Sequence, residues 1–250
     1  MWKDKRVSVI LPTYNEKDSI RRVVREFFES GVVDEVIVVN NNAAPGTDDE
    51  VRPTPARLVH ESKQGYGHAI QRGLAEATGD FLVISEPDGT FFGRDVHKLL
   101  AYADDFEVVF GTRTTRELIW DGANMEWLIR TGNYLVAKFM EWLFNTGFLS
   151  DVGCTMRLLR REVYLRIRDG FTIGGSHFGP ELMMLVILRG ARFIEIPVNY
   201  GKRVGESSVT GDKWRAFQLG VRMTLLIVEY RWKSWIGRIP SSPRQPLARR

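Results

Sequence analysis

Cysteine is almost missing from this chain: Cys154 is the one example in 250 residues. That excludes an internal disulfide framework, and with four histidines it leaves no thiolate pairs for a zinc site. Long apolar runs are missing too. The longest stretch free of Asp, Glu, Lys and Arg covers 12 residues, Val36 to Thr47, against about 18 for a membrane-spanning helix. No basic start followed by an apolar run resembles a secretory leader. There is no internal repeat, no low-complexity region and no nucleic-acid-binding motif. A cytoplasmic protein is the expectation.

What is present is ordinary globular material, 44% hydrophobic and 26% charged, enough for a substantial core in one large domain or in a domain with an appendage. The net charge of +4 hides an asymmetry. Residues 201–250 hold eleven Lys/Arg against three Asp/Glu, a balance of +8, so residues 1–200 carry −4. Six of the seven tryptophans lie beyond residue 112. A basic, tryptophan-bearing end suits an anionic membrane surface or a nucleic acid. Without a nucleic-acid motif, the membrane is the expected partner.

Apolar runs at Val7 to Leu11, Glu35 to Val39, Arg57 to His60 and Phe81 to Ser85 predict strands. Between them, helical spacing predicts helices over Glu16 to Ser30 and Tyr66 to Thr78. This alternation predicts a doubly wound, mostly parallel α/β sheet, in which ligands bind beyond the carboxyl ends of the strands. Three polar clusters fall there: Pro12 to Glu16, Asn40-Asn41-Asn42 and Glu86-Pro87-Asp88. The second half is less regular. It predicts helices over Asn124 to Phe144, Gly179 to Leu188 and Lys213 to Ile236, with strands at Val108 to Phe110, Met156 to Leu159 and Arg192 to Val198. Ile239 to Arg250, with three prolines and three arginines, reads as a disordered tail.

Two acids one residue apart at a strand end suit either a solvated turn or a hard divalent cation, which would cancel their repulsion. By itself "PTYNE" reads as a helix start capped by Asn15 or Thr13. Gly65-Tyr66-Gly67 lacks the third glycine of a dinucleotide fingerprint, because position 70 is Ile, and better suits a tight loop before a helix.

Several segments share one order: "VSVILPTYNE", "VIVVNNNAAPGT", "KQGYGHAIQRGLAEATGDFLVISEPD", "DVGCTMRLLRRE" and "EIPVNYGKRVGESS". In that order they resemble the inverting glycosyltransferases with the GT-A fold, above all the dolichyl- and polyprenyl-phosphate mannose or glucose synthases. The resemblance covers roughly residues 6 to 215. It implies a nucleotide-sugar donor across the strand ends, with Pro12, Tyr14 and Glu16 around base and ribose and Gly65 in the neighbouring loop. Asn40 and Asn41 stand where such enzymes usually have two aspartates, which leaves guanine or uracil open; Asn42 completes the candidate donor set. Glu86 and Asp88 match the DxD metal motif, with glutamate in the first place and Thr90 as a further metal-side group. Mn2+ or Mg2+ is the implied cofactor.

On the acceptor side, Asp151 matches a position often assigned as general base, against a role in a cap or salt bridge. A lipid phosphate is already anionic at pH 7 and needs little base assistance, but it calls for cationic partners. Arg203 matches the phosphate-binding arginine of the resembled enzymes; Arg113, Arg130 and Lys213 are further candidates. His177 and Glu181 match the acceptor-side region. Trp214, Phe217, Val221, Leu225, Val228, Trp232 and Trp235 form a stripe at spacings of three and four, which suits a core-packing or an interfacial helix. Tyr134 to Phe144 suggests a second interfacial helix through Val136, Phe139, Met140, Leu143 and Phe144.

The expected organisation is a GT-A catalytic domain over 1–212, an amphipathic helix over 213–238 and a basic tail over 239–250. The expected activity moves a hexose, mannose from GDP-mannose first, onto a polyprenyl or dolichyl monophosphate. UDP-glucose as donor, a polysaccharide acceptor, or a silent nucleotide-sugar-binding partner of a membrane complex are the alternatives. The protein would sit peripherally on the cytoplasmic face of an anionic membrane, directly or through a membrane protein.

Overall fold

The computed structural model describes residues 1–123, 127–205 and 213–239, without the side chains of Leu128 and Lys213. The tail beyond Ile239 and the predicted helix start at Asn124 lie outside the described residues. In chain order the elements are β1 (Val7–Thr13), α1 (Lys17–Glu29), β2 (Glu35–Asn40), α2 (Thr47–Val51), β3 (Arg57–His60), α3 (Tyr66–Glu76) and β4 (Phe81–Ile84). Then follow α4 (Val96–Tyr102), β5 (Val108–Thr112), α5 (Trp127–Phe144), β6 (Arg157–Arg160), α6 (Arg161–Ile167), α7 (Phe178–Leu188), β7 (Phe193–Pro197) and α8 (Lys213–Trp235).

The strands form one sheet in the order β3-β2-β1-β4-β6-β5-β7. All neighbours are parallel except β6, which runs against β4 and β5. Successive strand side chains point to opposite faces, and here both faces are covered, so the strands read as unbroken apolar runs. Ile10, Ile37, Val39 and Phe110 pack with α3, α5, α7 and α8. Val9, Leu11, Val38 and Val109 face the other way, toward α1 and α4. Helix α1 buries Ile20, Val23, Val24 and Phe27 on one stripe, each worth about 1.5–3 kcal/mol. It ends where Gly31 turns left-handed at φ 75°.

This topology assembles the site. From β1 the chain moves to β2 on one side, and β4 lies on the other, so a crevice opens beyond the ends of β1. Because β6 is antiparallel, the loop that enters it, Asp151 to Met156, arrives at the same edge.

Helix α8 settles which face of its stripe turns inward. Met223, Leu226, Ile227 and Tyr230 are buried, whereas all seven residues of the predicted stripe are exposed, Trp214 at 64% and Trp235 at 67%. On α5 the expectation needs correcting. Met140 and Phe144 are buried, and Val136, Phe139 and Leu143 pack against the core. Its exposed large apolar residues are Trp127, Tyr134, Leu135 and Trp142. No described helix is long and apolar enough to cross a membrane.

Candidate active site

At the end of β1, Glu16 folds its carboxylate back over the turn. Its Oε2 accepts from Tyr14 N at 2.7 Å, Asn15 N at 3.0 Å and Thr13 Oγ1 at 3.2 Å. Pro12, Tyr14 and Glu16 all line a cavity of about 1030 Å³, as does Gly65. The asparagine triplet divides differently from expectation. Asn40 turns away, donating to Asp48 and accepting from Ala43 N, while Asn42 bonds Ser62 and Gln64 at the exposed surface. Asn41 is the cavity residue. Its Nδ2 donates to the carbonyls of Glu61 and Lys63, and its Oδ1 accepts from Gly65 N. Gly65 has φ 146°, and a Cβ there would meet Gly174 O at 2.2 Å. The glycine therefore permits close packing beside the crevice, as the tight-loop reading requires.

Glu86 and Asp88 follow β4 into the cavity. The turn is pinned by Ser19 Oγ, which donates to Pro87 O at 2.6 Å. Asp88 is buried, and its Oδ1 accepts from Thr90 N at 2.9 Å and Thr90 Oγ1 at 2.6 Å. Its Oδ2 lies 2.5 Å from Arg203 Nη2 but makes no aligned hydrogen bond. Arg203 also reaches Glu86 Oε2 at 3.2 Å. Burial and then the charge of Asp88 push the Glu86 carboxyl well above the usual carboxylate range, with Arg203 opposing. Such a pair calls for more positive charge than one arginine supplies. The orphaned Oδ2 and the two hard oxygen donors fit Mn2+ or Mg2+. No described cluster of three or more His, Cys, Asp or Glu could hold a metal unaided, so further ligands would have to come from outside the chain's own carboxylates. Thr90 does not line the cavity and commits its hydroxyl to Asp88, which makes it an orienting group rather than a direct ligand.

Asp151 presents the opposite case. Its Oδ2 accepts from Arg113 N at 3.0 Å and Nε at 2.9 Å, and its Oδ1 from Arg113 Nη2 and Gly153 N, each at 3.0 Å. Burial alone would raise its pKa, but the Arg113 charge and these bonds win and hold it below the usual range. Arg113, stacked 5.0 Å from the Tyr200 ring centroid, lines the cavity; Asp151 does not. The geometry gives Asp151 the salt-bridge role and leaves it poorly suited to take a proton.

Of the remaining acceptor candidates, Arg203 lines the cavity, and Arg130 and His177 lie half-buried outside its lining. The Lys213 side chain lies outside the described residues. Glu181 is wholly buried, accepting from Thr172 N, Thr172 Oγ1, Ile173 N and Tyr230 Oη. It ties α7, α8 and the 172–173 loop together, an ordering role. Arg157 went unnoticed in the sequence. It lines the cavity while donating to the carbonyls of Val152, Cys154 and Gly179. Only its place in "CTMR", just after Asp151, could have drawn notice. Beyond these groups the cavity continues between α5 and α8 along Leu135, Val136, Phe217, Leu219, Gly220 and Leu225.

The family model described as glycosyl transferase family 2 matches residues 8–168. This chain belongs to that family. An uncharacterized glycosyltransferase of Mycobacterium tuberculosis is 30% identical over 210 residues, covering 82% of this chain and 90% of that one. A dolichyl-phosphate hexose transferase of Haloferax volcanii is 26% identical over 204 residues, covering 81% and 86%. Among solved structures, glucosyl-3-phosphoglycerate synthase of M. tuberculosis in complex with UDP superposes with a TM-score of 0.72 at 17% identity, covering 92% of this chain and 81% of the other. The fold is that of the GT-A glycosyltransferases, as the resemblance implied. Within this family-2 chain the matched segment contains the strand ends, Glu86, Asp88 and the Arg113–Asp151 pair, whereas Arg203 and α8 lie beyond it.

Proposed function

We propose that this glycosyltransferase moves a hexose from a nucleotide sugar to a polyprenyl monophosphate at a membrane surface, with inversion. The observation that carries this reading is the single cavity that holds Glu86 and Asp88 at one end and an apolar cleft between α5 and α8 at the other. A diphosphate suits the first end and an isoprenoid chain the second. The exposed tryptophans and the +8 C-terminal segment suit an anionic interface that delivers the lipid. The dolichyl-phosphate hexose transferase among the relatives agrees in acceptor class.

Asp88 and Glu86 would hold a divalent cation, which supplies charge neutralisation to the departing diphosphate. Pro12, Tyr14, Glu16 and Asn41 frame the nucleoside. An oxygen of the lipid phosphate attacks the anomeric carbon as the bond to the diphosphate breaks. The bonding pair leaves with the nucleoside diphosphate, and the product is a β-linked lipid-phosphate sugar. A phosphate has its second pKa near 6, so it arrives largely deprotonated. The engagement of Asp151 by Arg113 is no obstacle to such an acceptor, though it would be to a sugar hydroxyl. Arg113 and Arg203 supply positive charge for the phosphate.

The test incubates pure protein and Mn2+ with polyprenyl phosphate and labelled GDP-mannose or UDP-glucose. GDP-mannose is the donor we put first. Label that extracts into organic solvent from one donor identifies donor and acceptor together. Donor binding without transfer to any lipid phosphate would overturn the reading and leave a nucleotide-sugar-binding partner.

A further inference from the structure

The Arg203 guanidinium lies where a cation bridging the two acids would sit. One nitrogen, Nη2, is within 2.5 Å of Asp88 Oδ2 and 3.2 Å of Glu86 Oε2. The backbone around it is anchored. Gly201 N donates to Thr90 O and Val204 N to Asp88 O, each at 2.8 Å. Asn199 donates from N and Nδ2 to the buried Asp95, and its Oδ1 accepts from Trp120 Nε1 at 3.0 Å. The backbone on both sides of Arg203 is thus fastened to Asp88 and Thr90.

We propose that Arg203 is an internal cation that competes with the metal for Glu86 and Asp88, so that metal binding releases its guanidinium into the cavity. This rests on the metal reading above. Coulomb repulsion forbids the guanidinium and a divalent ion from sharing the 2.5 Å contact at Asp88 Oδ2. The poor alignment of that contact means the arginine holds Asp88 by charge rather than by a directed hydrogen bond. A planar guanidinium with five donors also fits a phosphate as readily as a carboxylate. Once displaced, it remains tethered beside the diphosphate end of the cavity. Metal and anion binding are therefore linked through one side chain: the cation empties the arginine's first place and makes it available for a phosphate. By reciprocity, an anion that draws Arg203 away strengthens metal binding.

Mn2+ alone is the probe, with free ion counted by electron paramagnetic resonance. Arg203→Gln removes the competitor and tightens Mn2+ binding about tenfold, the scale of linked binding at two sites, and Arg203→Lys falls between that variant and the parent. In the unmutated protein, phenylglyoxal labelling of Arg203, mapped by peptide mass spectrometry, rises when Mn2+ is added. This readout stands even where the glutamine variant folds poorly. Mn2+ binding that depends on Asp88 but is unchanged or weakened in Arg203→Gln overturns the exchange. Labelling that falls with Mn2+ does so too. Mn2+ binding that survives Asp88→Asn overturns the metal reading itself, and the exchange with it.

Discussion

Two aspartate–arginine pairs sit at the same sheet edge, and they are built differently. Asp151 has both carboxylate oxygens satisfied, three of its four bonds coming from Arg113. Asp88 has one oxygen satisfied by Thr90 and the other facing Arg203 without alignment, beside a second carboxylate. The Asp151 carboxylate has nothing left to offer a ligand. The second has an unmet demand for charge, in a wall of the cavity. A fully bonded buried pair holds structure in place, and an under-bonded one is where chemistry can enter.

Mutation should separate them. Asp151→Asn leaves Arg113 charged and buried without a counterion, which costs about 3–5 kcal/mol in urea unfolding. Asp88→Asn should leave the unfolding midpoint nearly unchanged, since it also relieves repulsion with Glu86. Its transfer rate should fall by about 10²–10³, the scale of losing one group that stabilises developing charge. If Asp151→Asn proved stable but inactive with a lipid phosphate acceptor, the contrast would collapse and Asp151 would return as a base.

A third carboxylate sharpens the contrast on the structural side. Glu195 of β7 accepts from Ser150 Oγ at 2.6 Å and Asp151 N at 3.1 Å, beneath the satisfied pair. Burial raises its pKa to about 7, the Ser150 bond opposes, and the Asp151 charge adds to the rise. Folded Glu195 then keeps its proton up to about pH 7, whereas the unfolded chain loses it near 4.5. Between those values the folded state binds more protons, so raising the pH favours unfolding. A shift of that size corresponds to about 3 kcal/mol. The difference in stability between the parent and Glu195→Gln should move in favour of the variant across pH 4.5 to 7. A difference that stays flat with pH would mean Glu195 ionises freely and bears no load.

The strand ends were legible because β1, β2 and β4 are short apolar runs broken by polar residues, and parallel pairing brings such breaks to one edge. Asn41 was harder to single out, because neighbouring residues at a strand end point to opposite sides. Asn40 goes to Asp48, and Asn41 to the 61–65 loop. The Arg113–Asp151 pair joins residues 38 apart. It depends on β6 running antiparallel beside β5, and no local pattern announces that. Helices α4 and α6, seven residues each, are too short for a clear periodicity. The stripe on α8 was visible, but both of its faces are apolar, so only packing could show that Met223, Ile227 and Tyr230 turn inward.

The smallest effect concerns how Asp88 is held. Thr90 gives it two bonds, one from the backbone and one from the hydroxyl. Thr90→Val conserves shape and removes the hydroxyl alone. Asp88 Oδ1 then keeps the backbone N–H, and the carboxylate gains freedom to rotate away from the orientation a cation needs. Orienting partners of this kind cost about 10–100-fold in metal affinity when lost; with one bond remaining, the lower end applies here. Thr90→Ser restores the hydroxyl and should restore the affinity for Mn2+. Urea unfolding of Thr90→Val should change by about 1–2 kcal/mol, less than Asp151→Asn. A valine variant that bound Mn2+ as the parent does would show that the backbone alone aims Asp88. The difference between the two aspartates would then reduce to the alignment of their arginines.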